Sequence, residues 1–371
     1  MAGKYLHIVA FNIPYPPDYG GIIDIFYKLR ALKEAGIQTI LHCYAYGRHP
    51  SKELEDLCFK VYYYARKSGM KYLFSTLPYI VATRNANTMP KNLLGDSFPV
   101  LFEGLHTTGL LTRCKQAGKK VLVRMHNLEH RYYRSLSSME NRPFHKLFFQ
   151  LEANKLRRYE SILDHADHLL GISKQETVYL EQTYGHAVFI PAFHRYEEIS
   201  VLPGTGSYIL FHGNLGVAEN HNILRRFALP ALTRVAHQVV VAGKNPSGSL
   251  IRRLERYPHI RLVANPSDQE MEQLIRNAQV NLVLTGQSTG IKLKLLHALF
   301  SGRHCLANPP MVAGSGLEEL CTVVSGKKEL VEQIERLMQF PVPQEELLHR
   351  KKALMEYTNR AGAEKILRLI S

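Results

Sequence analysis

Two lysines stand at the predicted start of a helix, where an anion would bind. Lys292 and Lys294 follow a small-residue turn at 288–291 and precede an apolar helical pattern that ends at Gly302. A helix N-terminus already carries a partial positive charge and free backbone N–H groups, so added lysines are unfavourable there unless an anion lies in front of them. The pattern therefore predicts either a diphosphate site or an ordinary solvated first turn.

Two other loops follow predicted strands and carry residue types that contact ligands. A proline-rich stretch after the first strand ends in Gly20 and Gly21; paired glycines at a strand-to-helix turn either let the backbone approach a ligand or simply make the turn. His126 and His130 follow a later strand, but the order His-Glu-x-x-His and a third ligand are missing. We therefore predict no metal site. We interpret His126 as a polar group that faces a cleft from the C-terminal end of a strand.

Short apolar strands alternate with helical patterns along the whole chain and must position these loops. This alternation of strands and helices extends from a strand at 5–11 to one at 169–172. It is interrupted by the irregular segment 194–207 and begins again with a strand at 208–212. Such strands indicate parallel sheets that are buried on both faces. We predict an α/β fold of two doubly wound, Rossmann-like domains, 1–195 and 206–345, followed by a helical segment at 346–371. Ligands bind such sheets at the carboxyl ends of the strands, so we expect the site in a central cleft between the facing domains.

The composition narrows the class of protein. Among the 371 residues, 45% are hydrophobic and 21% are charged, which is typical of a folded globular chain and not of a disordered one. No apolar run approaches the ~20 residues that span a bilayer. The five cysteines are scattered and form no Cys-x-x-Cys pair, which argues against a disulfide framework or a zinc site and favours the cytoplasm.

The net charge of +15 suggests a partner. Nucleic acid, anionic lipid headgroups and phosphorylated small molecules would all suit a basic protein, and a merely solubilising surface is the alternative. No nucleic-acid-reading motif is recognisable, so we predict no nucleic-acid partner. The stretch 142–151 joins basic residues to Phe144, Phe148 and Leu151 on one helical face. That face either packs on the protein's own sheet or contacts an anionic membrane.

Taken together, these segments resemble the GT-B fold glycosyltransferases, and most of all the bacterial enzymes of glycosyltransferase family 4. The resemblance covers nearly the whole chain. It rests on the loop ending in Gly20-Gly21, on Phe102-Glu103-Gly104-Leu105-His106, on Arg124-x-His126-Asn127-x-Glu129-His130, on Ala166-Asp167-x3-Gly171-Ile172-Ser173, on Phe211-x-Gly213-Asn214, on Val239-Val240-Val241-Ala242-Gly243-Lys244 and on Gly290-Ile291-Lys292-Leu293-Lys294.

The resemblance implies a transferase of the hexosyltransferase type that acts in polysaccharide biosynthesis. Its donor would be a nucleotide-diphosphate sugar, and its acceptor a glycan or a lipid-linked sugar at the inner face of the membrane. The reaction would be retaining and would need neither a metal nor a cofactor. The C-terminal helix would cross back onto the first domain, and His126 and Lys292 would be the catalytic residues. The donor-binding residues that it implies are Gly20, Gly21, Gly213, Asn214, Lys244, Thr289, Gly290, Ile291, Lys294 and His297.

Three positions depart from the family pattern. Thr289 and His297 stand where the family has two glutamates, and Asn214 replaces an arginine. A neutral histidine can hydrogen-bond a hydroxyl group, but it has one acceptor atom where a carboxylate has two oxygens. Two alternatives therefore stay open: a catalytically weakened protein that binds a nucleotide or a partner, and a sugar-nucleotide epimerase of the same fold.

Overall fold

The computed structural model of the protein describes residues 4–286 and 292–371. These residues form two compact units, each with a parallel β-sheet of its own. The first unit comprises residues 4–195 and Tyr357–Ser371, and the second comprises residues 196–286 and Lys292–Glu356. Within these ranges, no helix is both long and apolar enough to span a bilayer.

The sheet of the first unit is all parallel, with the strand order β3-β2-β1-β4-β5-β6-β7. Its strands are β1 Lys4–Ala10, β2 Ile37–Ala45, β3 Lys60–Ala65, β4 Val100–Glu103, β5 Val121–Met125, β6 His168–Gly171 and β7 Ala187–Phe189. The helices between them are α1 Gly20–Glu34, α2 Lys52–Leu57, α3 Tyr79–Ala82, α4 Met89–Leu93, α5 Leu111–Gln116, α6 Glu129–Met139, α7 Pro143–Tyr159 and α8 Lys174–Tyr184, with 3-10 turns at Met70–Phe74, Leu105–Leu110 and Glu160–His165.

Strand β1 shows why the sheet is buried on both faces. Leu6, Ile8 and Ala10 belong to one apolar cluster and Val9 to another, so helices cover the sheet on each side. The strand order reverses between β1 and β4. Ligands of doubly wound sheets bind where the order reverses, at the carboxyl ends of the strands.

The second unit repeats the design, with the all-parallel order β10-β9-β8-β11-β12-β13. Its strands are β8 Tyr208–His212, β9 Gln238–Gly243, β10 Ile260–Ala264, β11 Val280–Val283, β12 His304–Ala307 and β13 Thr322–Val323. Its helices are α9 Ala218–Ile223, α10 Leu229–Leu232, α11 Gly248–Leu254, α12 Asp268–Asn277, α13 Leu293–Ser301, α14 Pro309–Val312, α15 Lys327–Leu337 and α16 Gln344–Leu354, with a π-helical turn at Leu224–Ala228 and a 3-10 turn at Glu318–Leu320. The predicted pair of doubly wound parallel sheets is confirmed.

The last helix, α17 Asn359–Ile370, belongs to the first unit. Its Ala363 and Ile366 share an apolar cluster with Phe193. The return to the first unit begins at Tyr357 and not at residue 346. The physical reason is Arg350 on α16, whose buried guanidinium donates to the carbonyl oxygens of Gly302 and Arg303 at 2.9 Å each and so holds α16 in the second unit.

A chain of polar groups crosses the interior of the first sheet. His42 on β2 contacts His7 on β1 (2.9 Å) and the hydroxyl of Tyr64 on β3 (2.9 Å), and His7 contacts Asp96 (3.0 Å). Burial, with a smaller contribution from His7, lowers the pKa of His42 to about 3. The folded protein therefore keeps His42 neutral at pH values where an unfolded chain would protonate it.

We expect this histidine to make the protein sensitive to acid. Below the unfolded pKa of ~6.5, His42 binds a proton in the unfolded chain but stays neutral in the folded protein. The free energy of unfolding is therefore highest above that pH. It falls by up to ~1.4 kcal/mol per pH unit as the pH drops toward 3. Urea unfolding of the wild type and of His42→Gln at neutral and acidic pH checks this. The variant, which has no imidazole at this position, should lose less stability on acidification. Equal losses for the two proteins would show that His42 does not drive the effect.

Candidate functional site

A cluster of five buried ionisable residues lies at the carboxyl ends of β4 and β5. We call Asp24, Lys28, Glu103, Arg124 and His126 the ionic cluster. Glu103 ends β4, Arg124 is in β5 and His126 follows it, while Asp24 and Lys28 lie one turn apart on α1. Each of the five is at most 4% exposed. Such burial of charge is tolerated only where the charges are paired and hydrogen-bonded.

The pairing within the ionic cluster is complete for its carboxylates. The Lys28 ammonium donates to Glu103 Oε1 at 2.6 Å and to Asp24 Oδ2 at 3.0 Å. The Arg124 guanidinium donates to Asp24 Oδ1 at 2.8 Å and to Oδ2 at 3.2 Å. Burial by itself would raise the pKa of Asp24, but Arg124 and Lys28 outweigh it and hold that pKa well below its usual range. Two carboxylates and two cations therefore balance.

Glu103 sets the orientation of His126. The Nε2 atom of His126 lies 2.8 Å from Glu103 Oε2. Burial opposes ionisation of Glu103, but Lys28 and His126 outweigh it and lower its pKa. An ionised carboxylate only accepts hydrogen bonds, so Nε2 carries the proton that it donates. The other ring nitrogen, Nδ1, is buried, has no hydrogen-bond partner among the described residues and lies 3.9 Å from Asp24 Oδ2.

Three members of the ionic cluster lie close enough together to hold a metal ion. The candidate ligand atoms of Asp24, Glu103 and His126 are all within 4.8 Å of one another. Each of the four carboxylate oxygens, however, already accepts a hydrogen bond from Lys28, Arg124, His126 or the backbone N–H of Phe193 (2.8 Å). The donor set therefore fits an internal ion-pair network better than a cation site.

Gly20 and Gly21, which are the first-unit glycines predicted to contact a ligand, lie at the start of α1. A Cβ atom on Gly21 would stand 2.8 Å from Cζ of Phe11, so a larger residue there would have to displace that ring. Gly20 begins the helix and is partly exposed. Gly104, after β4, has a φ of +72°, and a Cβ atom there would stand 2.8 Å from Nδ1 of His106. Glycine thus lets the loop turn back beside the ionic cluster.

Two other buried titratable groups lie near these strand ends. Burial, together with Arg84 and His126, holds the pKa of His106 well below its usual value. Burial and the neighbouring Glu176 raise the pKa of Glu129 to about 8, so this carboxyl group is mostly protonated at neutral pH. Strongly shifted titratable groups concentrate at functional sites as well as in structural networks. Both residues lie in the segments that carry the family resemblance, yet nothing in their local pattern indicated their burial.

In the second unit, the loops after β8 and β9 are in direct contact. Gly213 and Asn214 follow β8 and Lys244 follows β9. A Cβ atom on Gly243 would stand 1.8 Å from the carbonyl oxygen of Gly213, so only glycine allows this approach. The backbone N–H of Leu215 donates to the carbonyl oxygen of Lys244 at 2.8 Å. The Lys244 side chain is exposed.

Lys294 connects these loops to the loop after β11. Its ammonium donates to Asn220 Oδ1 at 3.0 Å and to the carbonyl oxygen of Leu284 at 2.9 Å, and the Asn220 amide donates to the carbonyl oxygen of Asn214 at 3.0 Å. Burial lowers the pKa of Lys294, opposed by Glu219. Lys294 is thus committed to internal contacts. Lys292, immediately before α13, is partly exposed.

His297 has a partner that the sequence did not indicate. Its Nε2 atom lies 2.7 Å from Glu272 Oε2 on α12, and its ring stacks on Tyr196 with 4.3 Å between centroids. The ring of His212, the last residue of β8, lies edge-on to the ring of His297, with 6.2 Å between centroids. A carboxylate therefore stands beside the position where the family has a glutamate.

The predicted residues Gly213, Asn214, Lys244 and Lys294 thus come together at the carboxyl ends of β8, β9 and β11. Thr289, Gly290 and Ile291 lie outside the described residues. Glu219 and Asn308 were missed: Glu219 accepts from Thr285 Oγ1 and from the Gly286 N–H (3.2 Å), and the Asn308 amide donates to the carbonyl oxygen of Thr285 at 2.8 Å.

Comparison with known proteins identifies the fold. No family model matches the chain. An uncharacterized 44.6 kDa protein in the cps region of Klebsiella pneumoniae is 28% identical over an alignment of 316 residues, and the alignment covers 79% of each chain. Among solved structures, sucrose-phosphate synthase from Thermosynechococcus elongatus has a TM-score of 0.67 at 17% identity, covering 99% of this chain and 98% of its own.

Two other solved structures agree with this result. Anabaena Alr3699/HepE, in complex with UDP and glucose, has a TM-score of 0.64 at 10% identity and covers 98% of each chain. MurG from Acinetobacter baumannii has a TM-score of 0.54 at 12% identity and covers 99% of each chain. These are GT-B structures, and the predicted GT-B fold is confirmed.

Proposed function

We propose that this GT-B protein transfers a hexosyl group from a nucleotide-diphosphate sugar to a glycan or a lipid-linked sugar. The observation that carries the proposal is the set of second-unit loops that Lys294 ties together at the carboxyl ends of β8, β9 and β11. In a doubly wound sheet this is where a nucleotide binds. The similar HepE structure was solved with UDP and glucose, which supports this class of ligand.

In the reaction that we propose, the bond between the anomeric carbon and the diphosphate breaks. The diphosphate leaves with the electron pair, the acceptor hydroxyl oxygen bonds to the anomeric carbon, and the hydroxyl proton is released. Lys292, Lys244 and the N-terminus of α13 are proposed to offset the charge of the leaving diphosphate, the role that fixed cations and dipoles fill in other transfer reactions. His126 is proposed to contact the transferred sugar.

Metal independence, a retaining outcome and a cytoplasmic location are further parts of the proposal. The ionic cluster supports the first of these, because its carboxylate oxygens are already taken by Lys28, Arg124 and His126. The retaining outcome rests on the resemblance to family 4. The Klebsiella relative in the cps region supports a place in polysaccharide biosynthesis.

A nucleotide-binding module without transferase activity is the second candidate. The observation that favours it is the replacement of a glutamate by His297 and of an arginine by Asn214. The contact between His297 and Glu272 weakens this alternative, because it brings a carboxylate to within 2.7 Å of the histidine that replaces the glutamate. The proposed epimerase would release an isomerised nucleotide sugar and transfer nothing.

We expect Lys292→Ala to weaken nucleoside-diphosphate binding while leaving the fold intact. The loss of one charge-assisted contact costs about 1.5–3 kcal/mol, or roughly 10- to 150-fold in Kd. A thermal-shift screen of UDP, GDP, ADP and their sugars finds the ligand, and calorimetry then compares the variant with the wild type. Lys328→Ala, which removes a 93% exposed lysine from α15, is the matched control. An unchanged affinity in Lys292→Ala would exclude this lysine from the site.

A further inference from the structure

We propose that the first unit docks on an anionic phospholipid bilayer through one face of α7, and that a groove beside this face takes lipid phosphate groups. The surface would place the enzyme next to a lipid-linked acceptor, a role that rests on the proposed function.

Helix α7 presents an apolar stripe to solvent. Phe144 is 87% exposed, and Leu147 and Leu151 are 53% exposed each. Their spacings of three and four residues put them on one side of the helix, while Ala153 and Leu156 are buried on the other. Phe148, which the sequence placed in this stripe, is instead half-buried, with its ring edge-on to Tyr79.

The 3-10 turn Met70–Phe74 extends the apolar surface. Met70 is 74% exposed and Phe74 is 84% exposed. The Lys155 ammonium on α7 donates to the carbonyl oxygen of Leu73 at 2.9 Å, and this bond holds the turn beside the helix. Exposed apolar side chains that adjoin one another in a patch mark sites where a protein meets a partner or a membrane.

A polar groove of about 480 Å³ lies between α6 and α7. It is lined by Arg134, Ser137, Ser138, Lys146, Gln150 and Asn154. Lys146, Gln150 and Asn154 recur every four residues, so they form the stripe of α7 next to the apolar one. Within the described residues, neither Arg134 nor Lys146 is within ion-pair distance of a carboxylate. Two cations among hydroxyl and amide groups suit a phosphate.

The charged residues around the apolar stripe of α7 indicate which kind of partner it binds. Arg142 and Lys146 flank Phe144, and Lys71 lies within the 3-10 turn. The acidic groups nearby are engaged: Glu140 accepts from the Arg142 N–H (2.9 Å) and lies 3.6 Å from His145, and buried Glu152 pairs with Lys155 at 2.9 Å. An apolar stripe bordered by cations matches the interface of an anionic bilayer, where side chains insert between headgroups and lysines meet their phosphates.

Co-sedimentation with vesicles tests the docking. The full-length protein is mixed with vesicles of phosphatidylcholine alone or with added phosphatidylglycerol, at low and high salt. We expect binding only with phosphatidylglycerol and a loss of binding at high salt. Phe144→Ser/Leu147→Ser and Arg134→Gln/Lys146→Gln should each reduce binding roughly 10-fold or more. Leu348→Ser, at a 64% exposed leucine of α16, and Lys328→Gln are matched controls and should bind as the wild type does.

Several results would overturn the docking. The first is that equal amounts of the protein stay in the supernatant with and without anionic vesicles. The second is that both double variants bind the vesicles as well as the wild type does. The third is that inorganic phosphate binds in the groove while the protein does not bind vesicles. A dimer that Phe144→Ser/Leu147→Ser dissociates, without vesicle binding, would assign the face to a second copy instead. Because all the variants keep the second-unit loops, nucleotide affinity by calorimetry should equal that of the wild type. That measurement separates a failure of docking from a failure of the proposed function.

Discussion

Asp24→Ala should lower the free energy of unfolding by about 3–5 kcal/mol, the typical cost of removing one partner from a buried ion pair. Among the described residues, the substitution leaves the Arg124 guanidinium with the carbonyl oxygens of Ile190 and Pro191 as hydrogen-bond acceptors, and the Lys28 ammonium with Glu103. It also removes the acceptor of the Phe193 N–H, which is bonded at 2.8 Å. The mechanism is an uncompensated buried charge, and loss of packing is secondary because the side chain is small.

Urea denaturation at neutral pH measures this effect. Glu364→Ala is the matched control: it breaks the ion pair with Arg360, which also spans one helical turn but is exposed, and should cost less than ~0.5 kcal/mol. Asp24→Asn keeps the shape of the side chain and removes its charge. Its loss in free energy of unfolding should lie between the losses of Asp24→Ala and Glu364→Ala. A loss below ~1 kcal/mol in Asp24→Ala would mean that the ionic cluster is not a structural requirement of the fold.

His126→Ala should reduce turnover roughly 100-fold or more, the scale expected when a positioned catalytic group is lost. Its donor affinity should barely change, because the donor is proposed to be held mainly by the loops of the second unit. The reason for a large effect is the pre-set orientation of the ring: Glu103 accepts a hydrogen bond from the Nε2–H at 2.8 Å, and Nδ1 has no hydrogen-bond partner in the described parts of the chain. A contact that strengthens in the transition state changes turnover more than binding.

Initial rates with the donor found by thermal shift, together with calorimetry, separate these two quantities. His349→Ala, at an exposed histidine of α16, should behave as the wild type. If His126→Ala keeps full turnover, the ring is a structural part of the ionic cluster. If it loses donor affinity as well, the contact of His126 with the transferred sugar forms already in the ground state.

The two sheets were predictable because their signal is local. Each strand is a short apolar run followed by a turn, and strand neighbours such as β8, β9 and β11 bring the loops with Gly213, Lys244 and Lys294 to one edge without further information. The ionic cluster was not predictable. Asp24 and Lys28 lie four residues apart, a spacing that also suits an exposed helix pair. Their decisive partners are far along the chain: Glu103 is 75 positions from Lys28, and Arg124 is 100 positions from Asp24.

The same limit applies to His297. Its replacement of a glutamate was visible in the sequence, but the carboxylate that accompanies it belongs to Glu272, 25 positions away on α12. The sequence around Glu272 indicates only that this segment is a helix, because Ser267 and Glu270 form a capping box at the start of α12. A contact between two helices depends on how both pack on the sheet, which no local pattern specifies.

Transfer of a labelled sugar tests the central claim most directly. The protein is incubated with each of a panel of nucleotide-diphosphate sugars labelled in the sugar, in the presence of a bacterial lipid and glycan extract, with His126→Ala in parallel. We predict that the label of one donor moves into the lipid or glycan fraction, that an equal amount of nucleoside diphosphate is released, and that His126→Ala transfers far less. If the panel includes donors that bind, and each is recovered intact or merely isomerised with no label transferred, the protein is not a glycosyltransferase.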